Sequence, residues 1–507
     1  MDSNEGVGTV ARKSSIILFV KFALTFFSWL GFLFVARYMG TEAVGLIGFS
    51  LGLVGIFLQS DFGFGLAHNK MISEGKDLGE CIGAYIVIKT ILLTSAIGLM
   101  LGLVFIWEKV LGLGYQDPIQ QKMILIMLFY FVLFSLAQIP IQTFGGLRQS
   151  AKQQMPEFIG TFARVPVMIY VSLAGLGVIA LAYSYVLTGA VMVFLAFLML
   201  RKFSVKKPSK KLLRSYSGFA APVAIYMVFS TISLNIDKVA IQLFWDSTEV
   251  GYFFGMQRVI VVMTMLAISL LPILLPSISR YNAKGLKKEI KKLLFKAERY
   301  ISMLLIPMMV LFSILSSQVI HIMVGDEFLP AADVLVLLSF FALFYSLNIP
   351  HIQTLYGCGH PKKGARVGIT IALTNTILLF ILVPRDIMGF ELMGMGAKGA
   401  ALASLISVIA GFFLSRHYTR ICTRIRYKQV IHKHWAAGLF MALMLYLIIQ
   451  FMVPERWYEL LAFGLIGLLS YLGGLVALKE FGKRDIDFFL DILNLKKLKE
   501  YLKLEFS

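Results

Sequence analysis

The chain has 507 residues, of which 58% are apolar and 15% charged, with a mean hydropathy of +0.80. A soluble chain of this length carries roughly a quarter of its residues charged and divides into several domains, so that class is excluded. The 48 lysines and arginines exceed the acidic residues by 20. They sit between long apolar runs, which fits cationic loops holding the cytosolic side of a bilayer and no nucleic-acid partner.

Apolar runs of about 20 residues, the length a helix needs to cross the hydrocarbon core, recur from Ser15 onward. They predict fourteen spans, at 15–36, 43–67, 81–107, 123–146, 158–176, 178–200, 217–244, 252–278, 300–323, 334–357, 367–384, 398–415, 435–453 and 460–478. Gly175-Leu176-Gly177 marks the turn between the fifth and sixth. No short apolar stretch with a small-residue cleavage site comes first, so the first span is expected to be its own insertion signal. With the N-terminus in the cytosol, 37 of the 48 basic residues fall on cytosolic segments and five on external loops. That asymmetry predicts a plasma-membrane protein with both termini cytosolic. The basic, amphipathic stretch Leu286 to Leu294 is expected to form an interfacial helix against anionic headgroups.

The chain repeats itself. Gly40-Thr41-Glu42-Ala43-Val44-Gly45 matches Asp246-Ser247-Thr248-Glu249-Val250-Gly251, with Val44-Gly45 on Val250-Gly251 at an offset of 206. Ile139-Pro140-Ile141-Gln142-Thr143 matches Ile349-Pro350-His351-Ile352-Gln353-Thr354 at nearly the same offset. The unit is six helices, an even number, so both copies share one orientation. The expected architecture is an all-α polytopic membrane protein with two six-helix lobes in parallel repeat, residues 1–205 and 206–420. Two further helices occupy 421–478, and a basic amphipathic cytosolic tail occupies 479–507.

Seven acidic or basic residues fall inside these spans away from their ends: Lys21, Asp61, Lys89, Arg164, Asp237, Lys238 and Arg258. Each costs at least about 2.5 kcal/mol near the bilayer centre, so it needs a cavity or a partner. Lys21 and Arg164 lie about 9 Å from the inner ends of their helices, within snorkelling reach, whereas Lys89 is about 12 Å deep. Five cations against two carboxylates leave a positive surplus that suits an anionic ligand such as a phosphate or diphosphate. Asp61, Asp237 and His351, which follows Pro350, are candidates for charge pairing or for proton or sodium coupling. Pro272 and Pro276 are expected to kink the eighth span.

Enzymatic readings lack a foothold. The sequence has no GxxxxGK[ST], no HExxH and no CxxC, and its three cysteines show no motif spacing, so no cofactor, metal site or disulfide framework is expected. Asp485-Ile486-Asp487 has the spacing of a nucleotide-sugar metal motif but lies in the amphipathic tail. The short external loops leave no room for a catalytic region.

The string Ala36-Arg37-Tyr38-Met39-Gly40-Thr41-Glu42-Ala43-Val44-Gly45, followed by Ser60-Asp61-Phe62-Gly63-Phe64-Gly65, resembles the opening of the polysaccharide transporter family. That family includes the O-antigen flippases and belongs to the superfamily of multidrug, oligosaccharidyl-lipid and polysaccharide exporters. Asn235-Ile236-Asp237, Glu249-Val250-Gly251-Tyr252, Leu271-Pro272 and Pro276-Ser277-Ile278-Ser279 carry the resemblance into the second half. It implies a V-shaped pair of six-helix bundles and alternating access. Its implied cargo is a lipid-linked oligosaccharide passing from the cytosolic to the outer leaflet. It also implies a cationic central cavity holding the lipid diphosphate, with Lys21, Lys89, Arg164, Lys238 and Arg258 as candidates, and a gate or structural role for Arg37. Membrane lipid, the lipid-linked oligosaccharide and glycan-assembly enzymes are the implied partners. A multidrug exporter of the same fold is the alternative, and a membrane-embedded enzyme or scaffold of a glycan-assembly complex is the third reading.

Overall fold

The computed structural model describes residues 3–58, 61–106, 109, 118–268, 271–423, 431–482 and 485–486. Helices account for nearly all of it. The first, α1 (Ser3–Leu58), is two arms: Gly40, at φ 79° and ψ −177°, breaks the helical path between them. The first two expected spans begin on those arms, but the second does not run on to residue 67. Phe62 and Gly63 take positive φ, and α2 (Phe64–Ser73) starts afresh. The reason is local. Asp61 Oδ1 accepts the Gly63 N–H at 3.2 Å, and Oδ2 accepts the Gly65 N–H at 2.7 Å. This side-chain cap competes with the helical ladder, and Gly63 supplies the left-handed step. Asp61 is therefore in a turn rather than within a helix.

Next come α3 (Leu78–Phe105), α4 (Pro118–Gly146), α5 (Ser150–Leu173), α6 (Gly177–Leu200) and α7 (Lys210–Phe244). Asp77 caps α3 by accepting the Glu80 N–H at 2.8 Å, and Gly175 and Gly177 take the positive φ that turns α5 into α6. The eighth expected span is interrupted at Ile260, between α8 (Ser247–Val259) and α9 (Val261–Ile268), and α10 (Leu271–Ala283) carries Pro276 within it.

The stretch Leu286 to Leu294 is not a separate interfacial helix, because it forms the first turns of α11 (Lys287–Ile314). Ile290, Leu294, Ala297 and Ile301 are buried at three- and four-residue spacing, and no breaker divides them from the apolar run that follows. The chain continues with α12 (Ser316–Met323), a 3₁₀ turn at Asp326–Ala331, α13 (Ala332–Gly357) and α14 (Pro361–Leu382). A short hairpin of β1 (Asp386–Ile387) and β2 (Phe390–Glu391) leads to α15 (Gly396–Thr423), α16 (Ile431–Ile449) and α17 (Trp457–Ala477).

Eleven helical segments among the described residues are long and apolar enough to cross a membrane, the two arms of α1 being counted together. The helix α5 and the run α8 to α10 are not among them.

The helices gather into two compact units. One comprises Ile260–Val367 and Val408–Ser507 with Met1–Phe19; the other comprises Val20–Val259 and Gly368–Ser407. In the second unit the two copies of the sequence repeat touch reciprocally. A Cβ on Gly45 would overlap the carbonyl oxygen of Ser247, and a Cβ on Gly251 would overlap that of Thr41. Thr41 and Ser247 are themselves equivalent at the offset of 206, so each glycine packs on the backbone of its counterpart helix. Only a residue without a side chain lets two backbones approach this closely. The same unit has an aromatic and polar core in which His68 bonds Tyr216 Oη and Thr143 Oγ1, each at 2.9 Å, and stacks on Tyr85. In the first unit, Arg299 of α11 holds Asp485 with two hydrogen bonds, at 2.6 and 2.9 Å, and Glu480 at 2.7 Å. Asp485 is thus a structural anchor; Asp487 lies outside the described residues.

Candidate anion-binding cavity

Three of the cations expected within spans come together in the second unit. Arg164 projects from α5. One of its terminal nitrogens donates to Ser28 Oγ in the first arm of α1 at 3.3 Å, and its guanidinium lies 4.5 Å from the centre of the Tyr185 ring of α6. Its Nε is shielded from solvent and finds no acceptor among the described residues. Arg258, near the end of α8, lies 4.7 Å from the Phe254 ring. Lys238 of α7, 5% exposed, sits 6.0 Å from that same ring and donates to the Leu234 carbonyl at 3.0 Å. Arg258 stands within the electrostatic reach of both Arg164 and Lys238, and each repels it.

Arg164 and Arg258 line a cavity of about 50 Å³ together with Ser28, Phe32, Tyr185 and Phe254. No carboxylate is among its lining residues. Two cations held beside each other without a counterion leave unspent attraction for an anion, and the aromatic faces restrain the guanidiniums by cation–π contact. In this state the space suits one or two waters rather than a diphosphate.

Small residues of α1 make the arrangement possible. A Cβ on Gly48 would lie 2.8 Å from the Phe254 ring, and one on Gly52 would lie 3.2 Å from Lys238 Cε. With Gly45 these glycines form a smooth stripe along the second arm of α1, against which α7 and α8 lie.

The remaining candidates are placed elsewhere. Lys89 of α3 is 4% exposed, lies within the field of Asp61, and does not line the cavity. Asp61 is occupied by its two backbone donors and by Tyr85 Oη at 3.1 Å. Asp237 accepts from Asn375 Nδ2 of α14 at 3.0 Å. Arg37 is exposed, and Pro276 lies inside α10. The side chains of Lys21 and Pro272 lie outside the described residues. His351 belongs to the first unit, with Nε2 at 2.5 Å from Glu298 Oε1.

Sequence reasoning missed Ser28, Tyr185 and Phe254, which resemble any other polar or aromatic residue of an apolar helix. It missed Glu298 because the ninth span was expected to begin only at 300. The glycine spacing 45, 48, 52 was a readable signal.

Residues 34–333, more than half of the chain, match the family described as polysaccharide biosynthesis protein. The chain belongs to that family. It is 25% identical over 425 residues to the probable low-salt glycan biosynthesis flippase Agl15 of Haloferax volcanii, covering 82% of this chain and 86% of that one. Its fold is similar to that of the lipid II flippase MurJ in an inward closed conformation, with a TM-score of 0.73 at 18% identity, over 94% of this chain and 100% of that one. A multidrug resistance transporter of the MATE family, in an inward-facing conformation, gives a TM-score of 0.61 at 16% identity, over 80% and 96% of the two chains. Together with the apolar helices, family membership makes the chain a multi-pass membrane protein and not an enzyme.

Proposed function

We propose that the chain is a flippase moving an anionic, lipid-linked (di)phosphate oligosaccharide from the cytosolic to the outer leaflet of the plasma membrane. The observation that carries this reading is the pair Arg164 and Arg258 on a cavity wall without a carboxylate, with Lys238 beside them. Guanidiniums suit phosphate because their forked donors match two of its oxygens at once. The relatives named as a glycan flippase and a lipid II flippase support the substrate class.

The proposed topology has fourteen spans, with both arms of α1, α5 and the α8–α10 run added to the remaining long helices, and both termini in the cytosol. Two six-helix lobes, residues 1–205 and 206–420, alternate in access around the cavity. The crossing of Gly45 and Gly251 is the outer seal, placed where the loops following spans one and seven face outward. Opening it frees the cavity to widen from about 50 Å³ and release its cargo.

A multidrug exporter has support from the MATE-family fold, but extruders of cationic drugs need acidic cavities, and this one is cationic. The test is depletion of the protein in its host, followed by measurement of lipid-linked oligosaccharides on the two membrane faces. Complete sugar–lipid accumulating on the cytosolic face is the expected result. Unchanged lipid intermediates with altered drug sensitivity would favour export.

A further inference from the structure

The polar pair His351 and Glu298 plays no part in the cavity, since it lies in the other compact unit. Both side chains are sealed from solvent, His351 at 0% and Glu298 at 5% side-chain exposure. They join α13 to α11, and the edge of the Phe412 ring of α15 closes against the imidazole at 5.9 Å between centres. Thr419 of α15 donates to the His351 carbonyl at 3.5 Å. The 2.5 Å between Nε2 and Oε1 admits a proton and nothing larger. Among the described residues no third His, Cys, Asp or Glu joins them as a metal group would require.

We propose that Glu298 and His351 form a buried proton-binding site whose occupancy sets how firmly α11 and α13 are joined. With one proton the pair is neutral overall, as imidazolium and carboxylate, and its hydrogen bond holds the two helices together. Loss of that proton leaves a buried carboxylate beside a neutral ring, a state that favours separation of the helices or entry of water. Pro350 immediately precedes His351 and removes a helical hydrogen bond, so α13 has a compliant point beside the site.

The charged groups nearby have partners of their own. Arg299, next to Glu298, is committed to Asp485 and Glu480. Arg416 of α15 packs on the outer side of Phe412. The helix α9 carries no titratable residue, and α10 carries Arg280 and Tyr281 near its end. The remaining titratable groups of α13 are Asp333, Tyr345 and Tyr356.

A second set of polar groups lies beside the pair on α11 and α16, reaching it only at the Glu298 backbone carbonyl. Ser302 Oγ donates to the Glu298 carbonyl at 2.8 Å and stands 2.7 Å from His434 Nδ1. His434 Nε2 is 3.9 Å from Glu480, which in turn lies 3.6 Å from the partly exposed Lys433.

The coupling of this proton to transport rests on the flippase reading; the binding of the proton does not. The experiment is an infrared difference spectrum between about pH 5 and pH 8, the range in which imidazoles exchange protons, on the full chain in lipid nanodiscs. Wild type should show paired carboxyl and imidazole bands, lost in Glu298→Gln and altered in His351→Gln. Glu298→Asp keeps the carboxyl but withdraws it, and should displace the band. Spectra identical among wild type, Glu298→Asp and whichever glutamine variants fold would overturn the proposal. In parallel, the pH dependence of lipid-linked sugar flipping in vesicles should flatten in His351→Gln. An unchanged profile overturns the coupling. Proton bands in a wild type that flips no sugar would sustain the site and refute the flippase reading.

Discussion

At the residue scale, the cavity depends on cations that cannot be exchanged for neutral groups without loss. Arg164→Gln and Arg258→Gln each remove one charge-assisted contact to an anion, worth about 1.5–3 kcal/mol, or roughly ten- to a hundredfold in affinity. Binding of a diphosphate-bearing lipid to the purified protein should fall by that factor in each variant. Charge reversal at Arg258 should abolish transport while leaving membrane insertion intact, and wild-type transport by that variant would remove the basis for a cationic cavity. The charges were legible in the sequence because an ionisable residue in an apolar run stands out. Their grouping was not. Nothing in the sequence separates Lys89, beside Asp61, from Lys238, beside Arg258, since each grouping arises from helices far apart in the chain. Asp61 shows the reverse problem, because its depth in an apolar run suggested a membrane charge, while the adjacent Phe62-Gly63 turn makes it a cap.

At the scale of elements, the crossing of α1 and α8 is tight on both sides, Gly45 lying on Ser247 and Gly251 on Thr41. Gly45→Ala and Gly251→Ala should each force the crossing apart, because the new methyl meets backbone rather than a movable side chain. In the proposed mechanism this favours the outward-open state. A cysteine placed at Met168, on the cavity wall, should then react several times faster with a membrane-impermeant thiol reagent added outside. The repeat was visible as Val44-Gly45 and Val250-Gly251, and the structure gives its physical reason.

The joint between α11 and the segment after α17 makes a second prediction. Arg299 holds the Asp485 carboxyl below the usual carboxylate range, chiefly through its hydrogen bonds. A depressed value means stability that is present above the ordinary carboxylate pKa of about 3.9 and lost as pH falls through the depressed one. The thermal midpoint of wild type should therefore drop in strong acid, and Asp485→Asn should be less stable at neutral pH while losing less between neutral and acid. Equal pH profiles would contradict the role given to this pair. The sequence reading placed Asp485 in the tail but could not see its partner 186 residues earlier.

At the scale of the whole molecule, hydropathy described a largely helical membrane protein well, because the bilayer imposes span length and satisfied backbones on any sequence. It described breaks poorly. The sequence reading ran one span through Asp61 and another from 252 to 278, where the chain turns at Asp61-Phe62-Gly63 and the helix is interrupted at Ile260. Average apolarity does not register a side-chain cap. The measurement that tests the central claim most directly is flipping in reconstituted vesicles. The lipid-linked oligosaccharide extracted from the host would be labelled on its sugar and its exposure to an impermeant quencher followed over time. Vesicles with the wild-type chain should expose the full label pool and those with Arg258→Glu only one leaflet's share. Equal exposure in wild-type and protein-free vesicles would contradict the account.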